Sequence, residues 1–211
     1  MYTTKLSLLP CGYRTSPIRW VGDRTRVSYF QPLFMLRLAT FSLCLLLLAA
    51  CGGPDNPEWE AHEEMLEELR IKSPDNQRER ERNEIIDYAI ANQLYVRMTD
   101  SGLFYQLNQG TGQAPSITDQ VVVHYRGQLL DGTIFDSSYK RGEPSKFPLA
   151  GVIPGWQEAL QMLKEGGSGK FIIPSRLGYG DRGSAGAIPP NAILMFDVEL
   201  QEVVDGNEVN Y

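Results

Sequence analysis

Histidine and cysteine are scarce in this 211-residue chain, which holds two of the first and three of the second. His62 and His124 each stand outside any close Cys/His/Asp cluster of the kind that zinc needs, so a metal centre has no basis in the sequence. A GxSxG turn is missing, and no nucleophile has a histidine placed to activate it. Gly166-Gly167-Ser168-Gly169 lacks the lysine-serine pair of a phosphate loop and leads into a strand-like segment instead of a helix. Bases are also in deficit: 20 Lys+Arg against 26 Asp+Glu give a net charge of −6, which argues against a surface built to neutralise phosphates. An enzyme of this make-up works without nucleophile, metal or organic cofactor.

Charge is unevenly distributed. Residues 1–50 carry six bases and one acid, whereas residues 51–211 carry 14 bases and 25 acids. The apolar run Leu38–Ala50 is thirteen residues long, too short for about 30 Å of hydrocarbon but suited to the core of a secretory signal. Its end, Leu48-Ala49-Ala50-Cys51, resembles the lipobox of bacterial lipoproteins. That resemblance implies a diacylglyceryl thioether on Cys51, cleavage just before it, and anchoring by several acyl chains. Gly52 stands where an aspartate retains many such proteins at the inner membrane, which implies an outer-membrane anchor facing the periplasm. Residues 1–50 read as signal and precursor, with Met35 as the expected initiator and 1–34 as an over-extended frame. Cys11 and Cys44 fall in the segment to be removed, so the mature chain is left without an intramolecular disulfide.

The mature chain divides by composition. Residues 51–57 read as a lipidated tether and 58–98 as an acidic helical segment. Met65, Leu66 and Leu69 share one helical stripe, Ser73-Pro74-Asp75-Asn76 breaks it, and Ile85, Ile86, Ala89 and Ile90 recur on a second helix. The Arg- and Glu-rich face of that second helix reads as solvated, with a partner site as the alternative. Strands are expected around Leu103–Leu107, Val121–Tyr125, Lys170–Pro174 and Ile193–Leu200. A helix is expected over Pro154–Glu165, because Trp156, Ala159, Leu160 and Leu163 form one apolar stripe behind a first-turn proline. One helix against several antiparallel strands indicates an α+β fold.

From about Thr99 the chain resembles the FK506-binding family of peptidyl-prolyl cis-trans isomerases. The residues that carry the likeness are VVVHYRGQLLDGTIFDSS at 121–138, GVIPGWQEALQMLKEGGSGKFIIPSRLGYG at 151–180 and AIPPNAILMFDVEL at 187–200. The resemblance implies a curved antiparallel sheet wrapped around one short helix over 99–211, with the helical segment ahead of it. It also implies a prolyl cleft formed by Tyr125, Phe135, Asp136, Val152, Ile153, Trp156, Tyr179 and Phe196. Arg141, Phe147 and Ile188 are carried over to the same site on the substrate-binding side. The Ile153 N–H and the Tyr179 hydroxyl are assigned to substrate carbonyls. Ser145, Ser184 and Ala185 depart from bulkier family residues, so the rim is expected to be less enclosed.

The implied activity is rotation about Xaa–Pro bonds in unfolded or partly folded exported proteins, with a proline-binding chaperone or a structural lipoprotein as alternatives. Rotation requires no proton transfer. Asp136 therefore belongs to the hydrogen bonds that fix Tyr125, Tyr179 or Arg141, and His124 reads as an ordinary strand residue. Whether residues 58–98 build a dimer is left open by the sequence.

Overall fold

A computed structural model describes residues 56–184 and 186–206 of the chain. The expected signal, Cys51, most of the tether and Ala185 lie outside the described residues. Two helices come first: α1, Pro57–Glu68, and α2, Gln77–Ala91. Each starts on an asparagine cap: Asn56 accepts the Trp59 N–H, and Asn76 accepts the Glu79 N–H at 3.1 Å. Glu79 returns the bond by accepting the Asp75 N–H at 2.8 Å, so both sides of the second start are tied down. The hairpin is closed by Arg70, which bridges Glu67 at 2.6 Å and Asp87 at 2.7 Å. Asn83 adds bonds to both backbone groups of Ile71.

Seven strands follow, β1 Arg97–Met98, β2 Phe104–Asn108, β3 Gln120–Leu129, β4 Ile134–Ser137, β5 Ser145–Pro148, β6 Ser168–Ile173 and β7 Leu194–Val204. A four-residue helix α3, Ser138–Arg141, precedes β5, and helix α4, Pro154–Gln161, precedes β6. All pairings are antiparallel, in the order β1-β2-β6-β7-β3-β4, with β5 beside the first half of β3.

The expected sheet geometry needs correction. The sheet is open, ending at β1 and β4, and it is not wrapped around a single short helix. Helices cover it on two faces. Trp156, Ala159, Leu160 and Leu163 pack with Phe171, Ile173, Leu194 and Phe196 in one cluster. Leu66, Ile85, Ile86 and Ala89 pack with Phe104, Ile172, Ile193 and Met195 in the other. The reason is the twofold alternation of strand side chains. Phe171 and Ile173 lie in the first cluster and Ile172 in the second, so β6 needs apolar cover on both sides. The acidic hairpin supplies the second layer.

Helix α4 also ends four residues earlier than its apolar stripe suggested. Past Met162 the backbone is recruited elsewhere: Lys164 donates its N–H to Gln109 O at 2.7 Å, and Glu165 donates to Gln113 O at 2.9 Å. Strand β3 is longer than expected, running on through Gly127 to Leu129.

Candidate active site

Between β3–β5, the start of α4 and the segment joining β6 to β7 lies a cavity of about 480 Å³. Its floor is Trp156, 5% exposed, which the first turn of α4 lays against the sheet. Gly155 permits that approach, since a Cβ there would meet Ile173 Cγ2 at 2.5 Å. Tyr125 from β3, Phe147 from β5 and Phe196 from β7 stand nearly at right angles to the indole, with centroids 5.0, 5.7 and 5.2 Å away. Phe135 from β4 is edge-on to Phe196 at 5.5 Å. Such edge-to-face sets favour mutual fixation of rings over sliding. Val152 and Ile153 close one side, and Ser184, Ala187 and Ile188 close another.

Tyr179 stands at the rim, 42% exposed. Its hydroxyl has no hydrogen bond to a described residue. The same holds for the Ile153 N–H, whose segment is positioned by Gln157 reaching back from α4 to Val152 O at 2.9 Å and Ala150 O at 3.2 Å. The Trp156 Nε1–H is buried and finds no acceptor among the described residues. Three donors at one apolar cavity are thus left unpaired by the fold.

Ten of the eleven expected cleft residues line this cavity; Arg141 does not. It lies behind the wall, where its guanidinium donates to Asp136 Oδ1 at 2.5 Å and to the Tyr125 hydroxyl and Ser145 Oγ at 2.9 Å each. Tyr125 in turn donates to Asp136 Oδ2. Burial, then the Asp136 hydrogen bond, holds the Tyr125 phenol above its ordinary range despite Arg141. Desolvation alone would raise Asp136, but hydrogen bonds from Tyr125 and Arg141 and the Arg141 charge outweigh it and leave the carboxyl below its ordinary range. The two groups are driven apart in acidity, which suits a fixed support and not a proton relay.

A depressed carboxyl contributes stability above its unfolded pKa of about 3.9, and that stability is lost as pH falls through the lower folded value. The urea midpoints of the wild type and Asp136→Asn should therefore differ most above about pH 5 and draw together as the pH falls below the unfolded value of about 3.9. A gap independent of pH would contradict this assignment.

Sequence reasoning missed four supporting residues. Gln157 braces the Ile153 segment. Ser138 Oγ accepts the Tyr125 N–H at 2.8 Å. Ser145, read only as a loss of enclosure, anchors Arg141. Gly127 sits under the wall, where a Cβ would meet Phe135 Cε2 and Phe196 Cε1 at 2.7 Å each. An alanine there must push those rings apart. Gly127→Ala is expected to lower kcat/KM about tenfold and stability by about 1–3 kcal/mol, checked by peptide kinetics and thermal melting. Of these four, only Gly127 had a signal in the sequence, a glycine interrupting the best strand.

His124 lies outside the cavity, bonded to Ser138 Oγ at 2.9 Å and stacked on Tyr139. A second recess of about 640 Å³ lies beside Tyr95, Tyr105 and Met162. It is bordered by amides and cations and has no converging ring cluster.

The family model for the FKBP-type peptidyl-prolyl cis-trans isomerase matches residues 111–201. The chain is 53% identical over 110 residues to the FKBP-type 22 kDa peptidyl-prolyl cis-trans isomerase of Escherichia coli, covering 52% of this chain and 53% of that one. It is 58% identical over 106 residues to FkpA of Aeromonas hydrophila, covering 50% of this chain and 39% of that one. In these alignments the chain spans about half, or less, of the curated relatives' length. Among solved structures, FkpA from Escherichia coli superposes with a TM-score of 0.51 at 32% identity, over 82% of this chain and 93% of that one. A peptidyl-prolyl cis-trans isomerase from Pseudomonas syringae gives 0.54 at 32%, over 64% and 98%.

Proposed function

The chain belongs to the FKBP-type peptidyl-prolyl cis-trans isomerase family, and on that premise we propose that its cleft accelerates rotation about Xaa–Pro bonds in proteins that are still folding. The observation that carries this reading is the indole floor of Trp156 with three aromatic rings edge-on to it around one cavity. A proline ring is compact, apolar and of the right size to rest on an indole.

The uncatalysed barrier of about 18–20 kcal/mol is the loss of amide resonance. A twisted amide has less charge separation than a planar one, so a water-poor cavity disfavours the twisted state less than the ground state. The free Ile153 N–H and Tyr179 hydroxyl hold the flanking carbonyls so that the peptide binds already bent. A thousandfold acceleration requires only about 4 kcal/mol, within reach of desolvation plus orientation. Acid–base chemistry has no part in it, in keeping with the opposed acidities of Tyr125 and Asp136. In an NMR exchange assay the wild-type chain should broaden the cis and trans resonances of a proline peptide. No acceleration at any enzyme concentration would end this reading.

The substrates of this reading are unfolded or partly folded exported proteins with exposed prolines. We further propose export and anchoring through lipid on Cys51, supported by the Leu48–Cys51 pattern after an apolar run. Among the described residues no helix is long and apolar enough to cross a membrane. Mass spectrometry of the membrane-extracted chain tests this, because an unmodified Cys51 would overturn the anchor and leave the isomerase reading intact.

A further inference from the structure

Glu81 is an acidic residue, yet it is only 2% exposed. It lies on the face of α2 that reads from sequence as solvated, and no cation forms an ion pair with it among the described residues. Its carboxylate instead accepts the Ser175 N–H at 2.8 Å, the Ser175 hydroxyl at 2.5 Å and the Gln77 side-chain amide at 2.8 Å. Ser175, 4% exposed, lies 94 residues further along the chain and opens the 3-10 turn Ser175–Leu177.

That turn leads to the cleft. The Ser175 carbonyl accepts the Gly178 N–H at 2.9 Å, one residue before Tyr179. On the far side of Tyr179, the Gly180 carbonyl accepts the Asn191 N–H at 2.9 Å. The Tyr179 hydroxyl has no hydrogen bond to a described residue and the side chain is 42% exposed, so these two backbone anchors help to set its placement. Cohesion alone would be served better by an apolar side chain, because burying a carboxylate costs several kcal/mol of solvation. A carboxylate offers direction instead, gripping one residue through both its N–H and its hydroxyl.

We propose that Glu81 is a positioning residue for the isomerase cleft: through Ser175 it sets the height of the Tyr179 hydroxyl over the cavity, and so couples the N-terminal helical hairpin to catalysis. The proposal rests on the isomerase reading and adds to it a control element from outside the matched family segment, residues 111–201.

The test is a double-mutant cycle in kcat/KM on the full chain, combining Glu81→Ala with Tyr179→Phe. With the clamp intact, Tyr179→Phe should cost about tenfold. In the Glu81→Ala background the same change should cost less than about twofold, because the hydroxyl is no longer held where it acts. Glu81→Ala alone should lower kcat/KM about fivefold or more. Leu66→Ala, which loosens the hairpin core but removes none of the Glu81–Ser175 bonds, should lower the melting temperature but leave the Tyr179→Phe ratio at its wild-type value. Equal ratios in the Glu81→Ala and wild-type backgrounds would overturn the proposal. If Glu81→Ala does not fold, Ser175→Ala takes its place under the same criteria. An active wild type with additive variants removes this proposal alone, whereas an inactive wild type removes the isomerase reading and the proposal together.

Discussion

Trp156→Ala should lower kcat/KM toward a proline peptide by about 30- to 100-fold, the largest catalytic loss expected from a single side chain. On the proposed reading the indole is the surface on which the ring rests, and withdrawing it returns water to the cavity. Loss of about 2–2.7 kcal/mol of apolar contact converts to that range. The substitution also opens a hole in the core, because Tyr125, Phe147 and Phe196 all lean on Trp156. Stability should fall by about 3–5 kcal/mol. The two effects separate experimentally. Kinetics are measured well below the variant's own melting midpoint, and Trp156→Phe serves as a partner that keeps a flat apolar floor. Trp156→Phe should retain most of the activity. A folded Trp156→Ala variant within threefold of wild type would remove the indole from the mechanism.

Ile172→Asp should be the most damaging change away from the cleft. Were the sheet wrapped on one helix, with its other side in water, an aspartate on that other side would be tolerated. Ile172 is instead fully buried beneath Leu66, Ile85, Ile86 and Ala89. An uncompensated carboxylate there should cost about 4 kcal/mol or more, lowering the melting temperature by roughly 10–20 °C. Gln106→Asp on the exposed part of β2 should stay within about 0.5 kcal/mol of wild type. Similar melting curves for the two variants would mean that the hairpin does not cover the sheet in solution.

Much of the molecule is legible from sequence where one local pattern decides the outcome. The β-branched run Val121-Val122-Val123 and the stripe Trp156-Ala159-Leu160-Leu163 indicate strand and helix without help. The gathering of nine of the ten cleft residues follows from the three family motifs, with Phe147 lying between two of them, since those motifs carry a tertiary arrangement that no periodicity contains. What escapes sequence reading depends on contacts distant along the chain. Glu81 looks like one more charge on an Arg- and Glu-rich face, because nothing near it announces Ser175. Ser145 looks like a missing aromatic until Arg141 is seen to need an acceptor. The sheet's second apolar face was present in Phe104, Ile172, Ile193 and Met195, but strands buried on both sides read only as hydrophobic runs. They do not say which helix covers which side.

Gln157 has a consequence for how such a cleft can be altered. By holding Val152 and Ala150 from within α4, it ties the helix that carries Trp156 to the Ile153 N–H, the two groups that the proposed reading sets against the proline ring and the neighbouring carbonyl. That half of the site behaves as one casting. The opposite lip, Ser184 with Ala187 and Ile188, hangs from a turn closed by its own Ser184–Ile188 bridge. On the proposed reading, selectivity for the residues flanking a proline is therefore open to retooling at that lip without disturbing the braced half.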